Sequence, residues 1–389
     1  MTPSMQAIWI TRLVISWIAW ELTGSSTYVG LLSFCLFIPY ITTIPFFGVL
    51  LDRIEPIKTA IMAQSIQAIM AFTIFLMHIT NTLSIFSLCM VALVIGTANS
   101  AQGSARQTIV PRIVDKSTIA NAVAFNAMNF QVARIIGPSI GGIMIGALGT
   151  QYTIIISSLF FIPALLTLPL IKLTPKKGVE RSVETNFIEE LFDGTKFAIK
   201  NIVILECMLL TLISSIIIRG CHELLPAIAD GKFNMGAEGL GQILASAGLG
   251  ALITAFLIAS RKKTYNDKGI PTIAKFSLVI GLIFVILLGI SPTWNIALLA
   301  AFISGGCVTT VAIDMQSTVQ MQLNDAFRAR VGSLWLAVAI GGNAIGSVII
   351  GIFSDIYGIS NTFLSVGIFG IILIIIIQSI LKYLRIIRA

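Results

Sequence analysis

Histidine occurs only twice in the 389 residues, and cysteine five times. Cys35, Cys89, Cys207, Cys221 and Cys307 all lie in or beside apolar runs, and none forms a CxxC pair. Neither a disulfide framework nor a metal site is therefore expected. A phosphate-binding loop and any nucleophile–base arrangement are also lacking, so the sequence supports no enzyme reading and calls for no cofactor. Charge is scarcest of all, at 11% of residues, which is too little to cover a soluble domain of this size. What is plentiful is apolar: hydrophobic residues make up 56% of the chain and the mean hydropathy is +0.96. A bilayer is the solvent such a chain requires. The net charge of +8 does not imply nucleic acid, because the basic residues are scattered at the ends of apolar runs, where membrane topology needs them. No small-residue cleavage pattern follows the first apolar run, and many further spans come after it, so no cleavable signal is expected.

The apolar stretches predict twelve helices, near 5–22, 27–51, 57–79, 83–105, 119–148, 152–171, 202–226, 239–260, 270–290, 294–317, 330–352 and 362–384. Most approach the ~20 residues that a bilayer demands. The connection Lys172–Asn201 is polar, and Phe187, Ile188, Leu191 and Phe192 keep helical spacing within it, which predicts a surface helix. Three parts follow: a six-helix bundle at 1–171, a central loop at 172–201 and a second bundle at 202–389. With both termini cytoplasmic, Arg53, Lys58, Arg106, Arg112, Lys116, the central-loop lysines and arginine, and the basic residues from Arg261 to Arg388 fall inside. Only Lys232 falls outside.

Arg134, Gly137, Pro138 and Gly141 stand at i, i+3, i+4 and i+7, on one helical stripe. Glycines there admit a neighbouring backbone, and Pro138 removes the hydrogen bond to the carbonyl of Arg134. A membrane-buried arginine faces a partner or an aqueous path. The spacing Gly137-x4-Gly142 returns as Gly346-x4-Gly351, 209 residues later, and Asp115 returns as Asp325 after 210. In this echo Asn343 matches Arg134 and Ser347 matches Pro138, so the charge and the proline belong to the first half alone.

Gly48-Val49-Leu50-Leu51-Asp52-Arg53 resembles the GxxxDR core of the signature loop of the major facilitator superfamily. The segment Ala133 to Gly142 resembles that superfamily's fifth-helix antiporter motif, GxxxGPxxGG, with Ala133 in place of the first glycine. Leu22-Thr23-Gly24-Ser25, Phe187 to Asn201, and Leu224 to Asp230 look like the subgroup of enterobactin exporters and macrolide-efflux proteins. The resemblance implies an all-α fold of two pseudo-symmetric six-helix bundles with a site between them. It also implies a multi-pass protein of the bacterial inner membrane. The function implied is proton-coupled export of a small amphipathic molecule, drug-like or siderophore, by alternating access. An importer, a lysolipid-type transporter or a degenerate non-transporting copy are the alternatives. The expected partners are the small-molecule substrate, protons and membrane lipids, with the protein acting as a monomer.

Two features depart from the family pattern. Ile54-Glu55-Pro56-Ile57-Lys58 replaces the usual basic run, which weakens an inner gate. Arg12 interrupts the first helix, and only Leu13–Leu22 follows it, roughly 15 Å of helix, so the helix is expected to be short. Either Arg12 snorkels to the inner surface or part of the helix is lost.

Several residues carry both a functional and a structural reading. Gly48, Asp52 and Arg53 form a conformational latch by resemblance, and a flanking charge pair otherwise. Arg134 binds an anionic group or tunes a carboxylate, or else bonds the carbonyls freed at Pro138. Gly137, Pro138, Gly141 and Gly142 are packing and hinge elements. Arg219, His222 and Glu223 couple protons, or anchor the helix at the interface. Glu21, beside Trp17 and Trp20, suits a cationic drug or an interfacial belt. Asp314 reads as a gate partner. Asn126, Asn129 and Gln131 line a cavity or bond between helices, and His78 sits at headgroup level.

Overall fold

The computed structural model describes residues 2–115, 118–171, 173, 187–260, 270–323 and 325–388. Among them there is no strand. The helices are α1 (Thr2–Thr23), α2 (Ser26–Arg53), α3 (Pro56–Ile79), α4 (Ile85–Ile109), α5 (Ile119–Leu148), α6 (Thr150–Leu159), α7 (Ile162–Thr167) and α8 (Phe187–Lys200). The second half continues with α9 (Ile202–Ile213), α10 (Gly220–Glu223), α11 (Gly236–Ala259), α12 (Thr272–Ile290), α13 (Trp294–Met321), α14 (Asp325–Tyr357) and α15 (Ile359–Arg388). Ten spans are long and apolar enough to cross a membrane, and Val132–Leu148 of α5 is a shorter apolar helix. With α1, these make up the twelve expected spans.

Local chemistry sets the helix boundaries. Pro56 occupies the first turn of α3, where its missing N–H costs nothing. A capping box of Ser84 and Ser87 starts α4, and the Asn201 side chain accepts from the N–H groups of Val203 and Ile204 to start α9. Gly149 (φ 87°) and Gly358 (φ 80°) make the abrupt turns that follow α5 and α14. These two turns lie 209 residues apart, the same shift as the paired glycines.

The first helix is not short. It runs unbroken for 22 residues, about 33 Å at 1.5 Å per residue, and within it the Arg12 guanidinium packs on two rings. Its carbon lies 5.1 Å from the Trp9 centroid and 4.6 Å from that of Phe37. Delocalised charge held on aromatic faces is tolerated within an otherwise apolar helix.

The helices group into two compact units. Unit 1 comprises Met1–Gly24, Leu31–Glu184 and Met235–Ala245. Within it α1 packs on α5 and α6, and α3 packs on α4. Thr11 Oγ1 donates to Ser157 Oγ at 3.3 Å, and Gln67 Nε2 to Gln102 Oε1 at 2.7 Å. Ile57, Ala60, Ala105, Ile109 and Leu168 form an apolar core. Unit 2 comprises Ser25–Gly30, Thr185–Asn234 and Ser246–Ala389, with α12 packed between α13 and α15. The first turn of α2 thus belongs to unit 2, and the first turns of α11 belong to unit 1.

Candidate functional site

In unit 1 the stripe of α5 faces α1. A Cβ at Gly137 would lie 2.7 Å from Trp9 Cβ and 3.2 Å from Gln6 Oε1, and one at Gly141 would lie 2.8 Å from Leu13 Cδ2. Gly142 approaches the backbone of Gly241 in α11 too closely for any Cβ. Pro138 is buried on the same stripe. Arg134, one turn before Gly137, is half-buried. Asn129 Nδ2 donates to Met5 Sδ of α1 at 3.5 Å, and Asn126 is half-buried nearby on α5.

Two further arginines lie within the spans of unit 1. Arg12 is held on Trp9 and Phe37, as described. Arg106, in the last turn of α4, and Arg12 both act electrostatically on the Tyr40 phenol. The Tyr40 hydroxyl donates to the Asn99 carbonyl at 3.2 Å. Arg12, Arg106, Arg134 and Tyr40 are all half-buried. Helices α3 to α7 contain no Asp or Glu, while α1 and α2 carry one each, Glu21 and Asp52, near their ends. Arg12 and Arg106 beside the Tyr40 phenol, with the Trp9 and Phe37 faces, give this part of unit 1 groups of the kind that bind an anion. Arg106 and Tyr40 were not singled out from the sequence. The available signal was arginine surplus over carboxylates within the first six spans.

Glu21 is exposed, and its Oε2 accepts from Thr150 Oγ1 at 3.5 Å, the far limit of a hydrogen bond. Trp17 is buried and Trp20 half-buried beside it. Asp314 is buried in α13. His78 is half-buried near the end of α3. The side chains of Gly48-Asp52-Arg53 and of Gln131 lie outside the described residues.

In unit 2, Arg219, His222 and Glu223 fall where the seventh span is irregular. The π-helical segments Ser214–Arg219 and Ala227–Lys232 flank α10. Such bulges widen a helix and re-aim its side chains. His222 Nε2 shares a hydrogen bond with Ser304 Oγ of α13 at 2.9 Å. Glu223 Oε1 accepts from Asn343 Nδ2 of α14 at 3.1 Å. The structure therefore places the seventh-span cluster against α13 and α14 through named polar bonds. Gly346 packs directly on the backbone of Ile216, much as Gly137 packs on α1. Lys232, outside the spans, donates to the Gly289 carbonyl at 2.5 Å and lies 5.2 Å from the Phe233 centroid. Burial lowers its ammonium below the ordinary lysine pKa.

Two polar assemblies in unit 2 had no counterpart in the sequence reading. Glu206 Oε1 accepts from Lys275 Nζ at 2.5 Å and from Gln378 Nε2 at 2.8 Å, while Lys275 also donates to Gln378 Oε1 at 3.0 Å. This closed triad ties α9, α12 and α15 together. Its signal was one acid alone in α9 and one base alone in α12. The second assembly lies at the start of α2. The Asp355 carboxylate of α14 accepts from Ser25 Oγ at 2.5 Å, Ser26 N at 2.8 Å and Thr27 N at 3.0 Å, capping the helix from another element. Ser347 Oγ donates to the Gly30 carbonyl at 3.1 Å in the same seam.

Known proteins place this arrangement. The sequence profile described as transmembrane secretion effector matches residues 3–387. The staphyloferrin A transporter of Staphylococcus aureus (strain NCTC 8325 / PS 47) is 23% identical over 365 residues, covering 92% of this chain and 89% of the relative. The enterobactin exporter EntS of Escherichia coli O81 (strain ED1a) is 24% identical over 338 residues, covering 85% and 74%. A bacterial homologue of the human lysosomal transporter Spinster shares the fold with a TM-score of 0.73 at 14% identity, over 98% of this chain and 93% of that one. A bacterial homologue of the iron transporter ferroportin does so at 0.69 and 12%, over 97% and 96%. The chain belongs to the transmembrane secretion effector family of the major facilitator superfamily, whose members are membrane transporters and not enzymes.

Proposed function

We propose that this protein is a secondary exporter that moves a small anionic, siderophore-like molecule by alternating access between two halves, 1–171 and 202–389. The observation that carries this reading is that Arg12 and Arg106 both act on the Tyr40 phenol, on helices α1, α2 and α4, whose acids are Glu21 and Asp52 near helix ends. A guanidinium offers fork-like donors that match carboxylate or catecholate oxygens, and Trp9, Phe37 and Tyr40 add faces for the apolar part of the cargo. The names of the relatives, a staphyloferrin A transporter and an enterobactin exporter, support the same cargo class. Drug-like cations suit it less, because Glu21 is exposed near the end of α1. The 22-residue length of α1 speaks against one of the two motives for reading the chain as a degenerate copy, the altered inner loop at Ile54–Lys58 being the other.

Proton entry at Glu223, with His222 and Arg219 beside it, supplies the driving step. Gly48, Asp52 and Arg53 act as the latch that holds one state. Lysine and arginine placement puts both termini in the cytoplasm of a bacterial inner membrane, and the chain acts as a monomer in lipid. Flux measured in proteoliposomes tests the scheme. A citrate- or catecholate-based siderophore should move against an imposed pH gradient. Arg12→Ala or Arg106→Ala should weaken its binding about 10- to 100-fold, from the 1.5–3 kcal/mol of a hydrogen bond to a charged group. Equal transport of cationic and anionic cargo by both arginine variants would overturn the assignment.

A further inference from the structure

Asn343 stands where the second half repeats the position of Arg134, yet it does different chemistry. Only 6% of it is exposed, its Nδ2 donates to Glu223 Oε1 at 3.1 Å, and its Oδ1 has no hydrogen-bond partner among the described residues. The backbone around it is fixed on both sides. A Cβ at Gly342 would lie 2.9 Å from Ser215 Cβ, and Gly346 leaves no room for one against Ile216. The amide is thus carried by a closely packed stretch of α14 while half of its bonding capacity is unused. A buried acceptor without a donor is costly, and the donor that fits here is a proton on the neighbouring carboxyl group.

We propose that Asn343 is the positioning residue for the proton on Glu223, serving both charge states. With Glu223 ionised, Nδ2 donates to the carboxylate. With Glu223 protonated, the amide turns about its last torsion and Oδ1 accepts the carboxyl O–H. The proton itself moves between Glu223 and the aqueous path, and no other bond is made or broken. This deepens the proton-entry reading of Glu223 and rests on it. Arg219, His222 and Asp230 lie on the same irregular span as Glu223. On α13, Ser304 bonds His222, and Asp314 lies ten residues further, roughly 15 Å along the helix. On α9 and α12, Glu206 and Lys275 are engaged with each other.

Infrared pH titration of the purified protein in detergent reads the protonated carboxyl band directly, whether or not transport occurs. Glu223→Gln identifies the band by removing it. Asn343→Leu deletes both bonds, but the charge-assisted one to the carboxylate is the stronger, so the midpoint should rise by up to about one pH unit, a tenfold change in proton affinity. Asn343→Asp keeps the shape and adds a second carboxylate sharing one proton, so its midpoint should rise further. A midpoint unchanged in both variants overturns the proposal, whatever their stability. A separate flux assay distinguishes the two readings. If wild-type flux ignores the pH gradient while the band still shifts, proton coupling fails and the Glu223–Asn343 pairing stands.

Discussion

Replacing Lys275 by methionine tests how the buried triad of unit 2 contributes. The Glu206 side chain is 1% exposed and that of Lys275 29%, so the base keeps some contact with its surroundings while the acid has none. Methionine preserves the length of the lysine stem but leaves a buried carboxylate with Gln378 as its one remaining partner in the triad. Breaking a fully buried pair costs about 3–5 kcal/mol, and the partial exposure of Lys275 places the loss at the lower end, about 3 kcal/mol. With an unfolding entropy of about 2.1 cal/mol/K per residue, that loss lowers Tm by about 4 °C for a chain of this length. The double variant Glu206→Gln, Lys275→Met removes the stranded charge and should recover at least half of the loss. Thermal unfolding of the four proteins of this cycle, in one detergent, measures the coupling directly. A double variant less stable than Lys275→Met alone would refute the reasoning, because the carboxylate would then not be what destabilises the single variant.

Three further outcomes follow from the geometry. Gly142→Ala places a Cβ against the backbone of Gly241 and 2.9 Å from the Ala237 carbonyl, so it should destabilise by about 1–3 kcal/mol, read as a lower Tm. Asp355→Ala removes the acceptor of two backbone N–H groups, costing about 0.5–2 kcal/mol, and amide exchange at Ser26 and Thr27 should accelerate while that at Val203 does not. Lys232 has a folded pKa below its reference value of 10.5, so the unfolded chain binds its proton more tightly and stability rises with pH between the two values. Lys232→Met should flatten that alkaline rise in Tm.

The spans were legible because the bilayer imposes a length, and the sequence answers with apolar runs such as 272–290. The internal repeat was legible too, since close backbone approach demands glycine. Gly137 and Gly346 each pack against the first span of their own half, and Gly142 meets α11 while Gly351 meets the start of α2. The true length of α1 was not legible, because hydropathy counts Arg12 as a break and has no knowledge of the Phe37 ring that covers it. The π-helical segments leave no mark in composition. Glu206 and Lys275 are 69 residues apart, and Ser25 and Asp355 330 apart, so only the folded chain brings them together. Asn343 was visible only as the failed copy of an arginine, and its bond to Glu223 gives that position its meaning.

The exchange of helix ends between the units sets an order of assembly during synthesis. Unit 1 is incomplete until residue 245 has been made, because Met235–Ala245 is the segment that reaches Gly142. Unit 2 receives its Ser25–Gly30 segment at the very beginning but holds it with Asp355, which arrives almost last. The start of α2 therefore meets its Asp355 partner only when nearly the whole chain has been made. A fragment ending in the central loop lacks the covering of α5, whereas two fragments divided there and made together contain every piece that each unit needs.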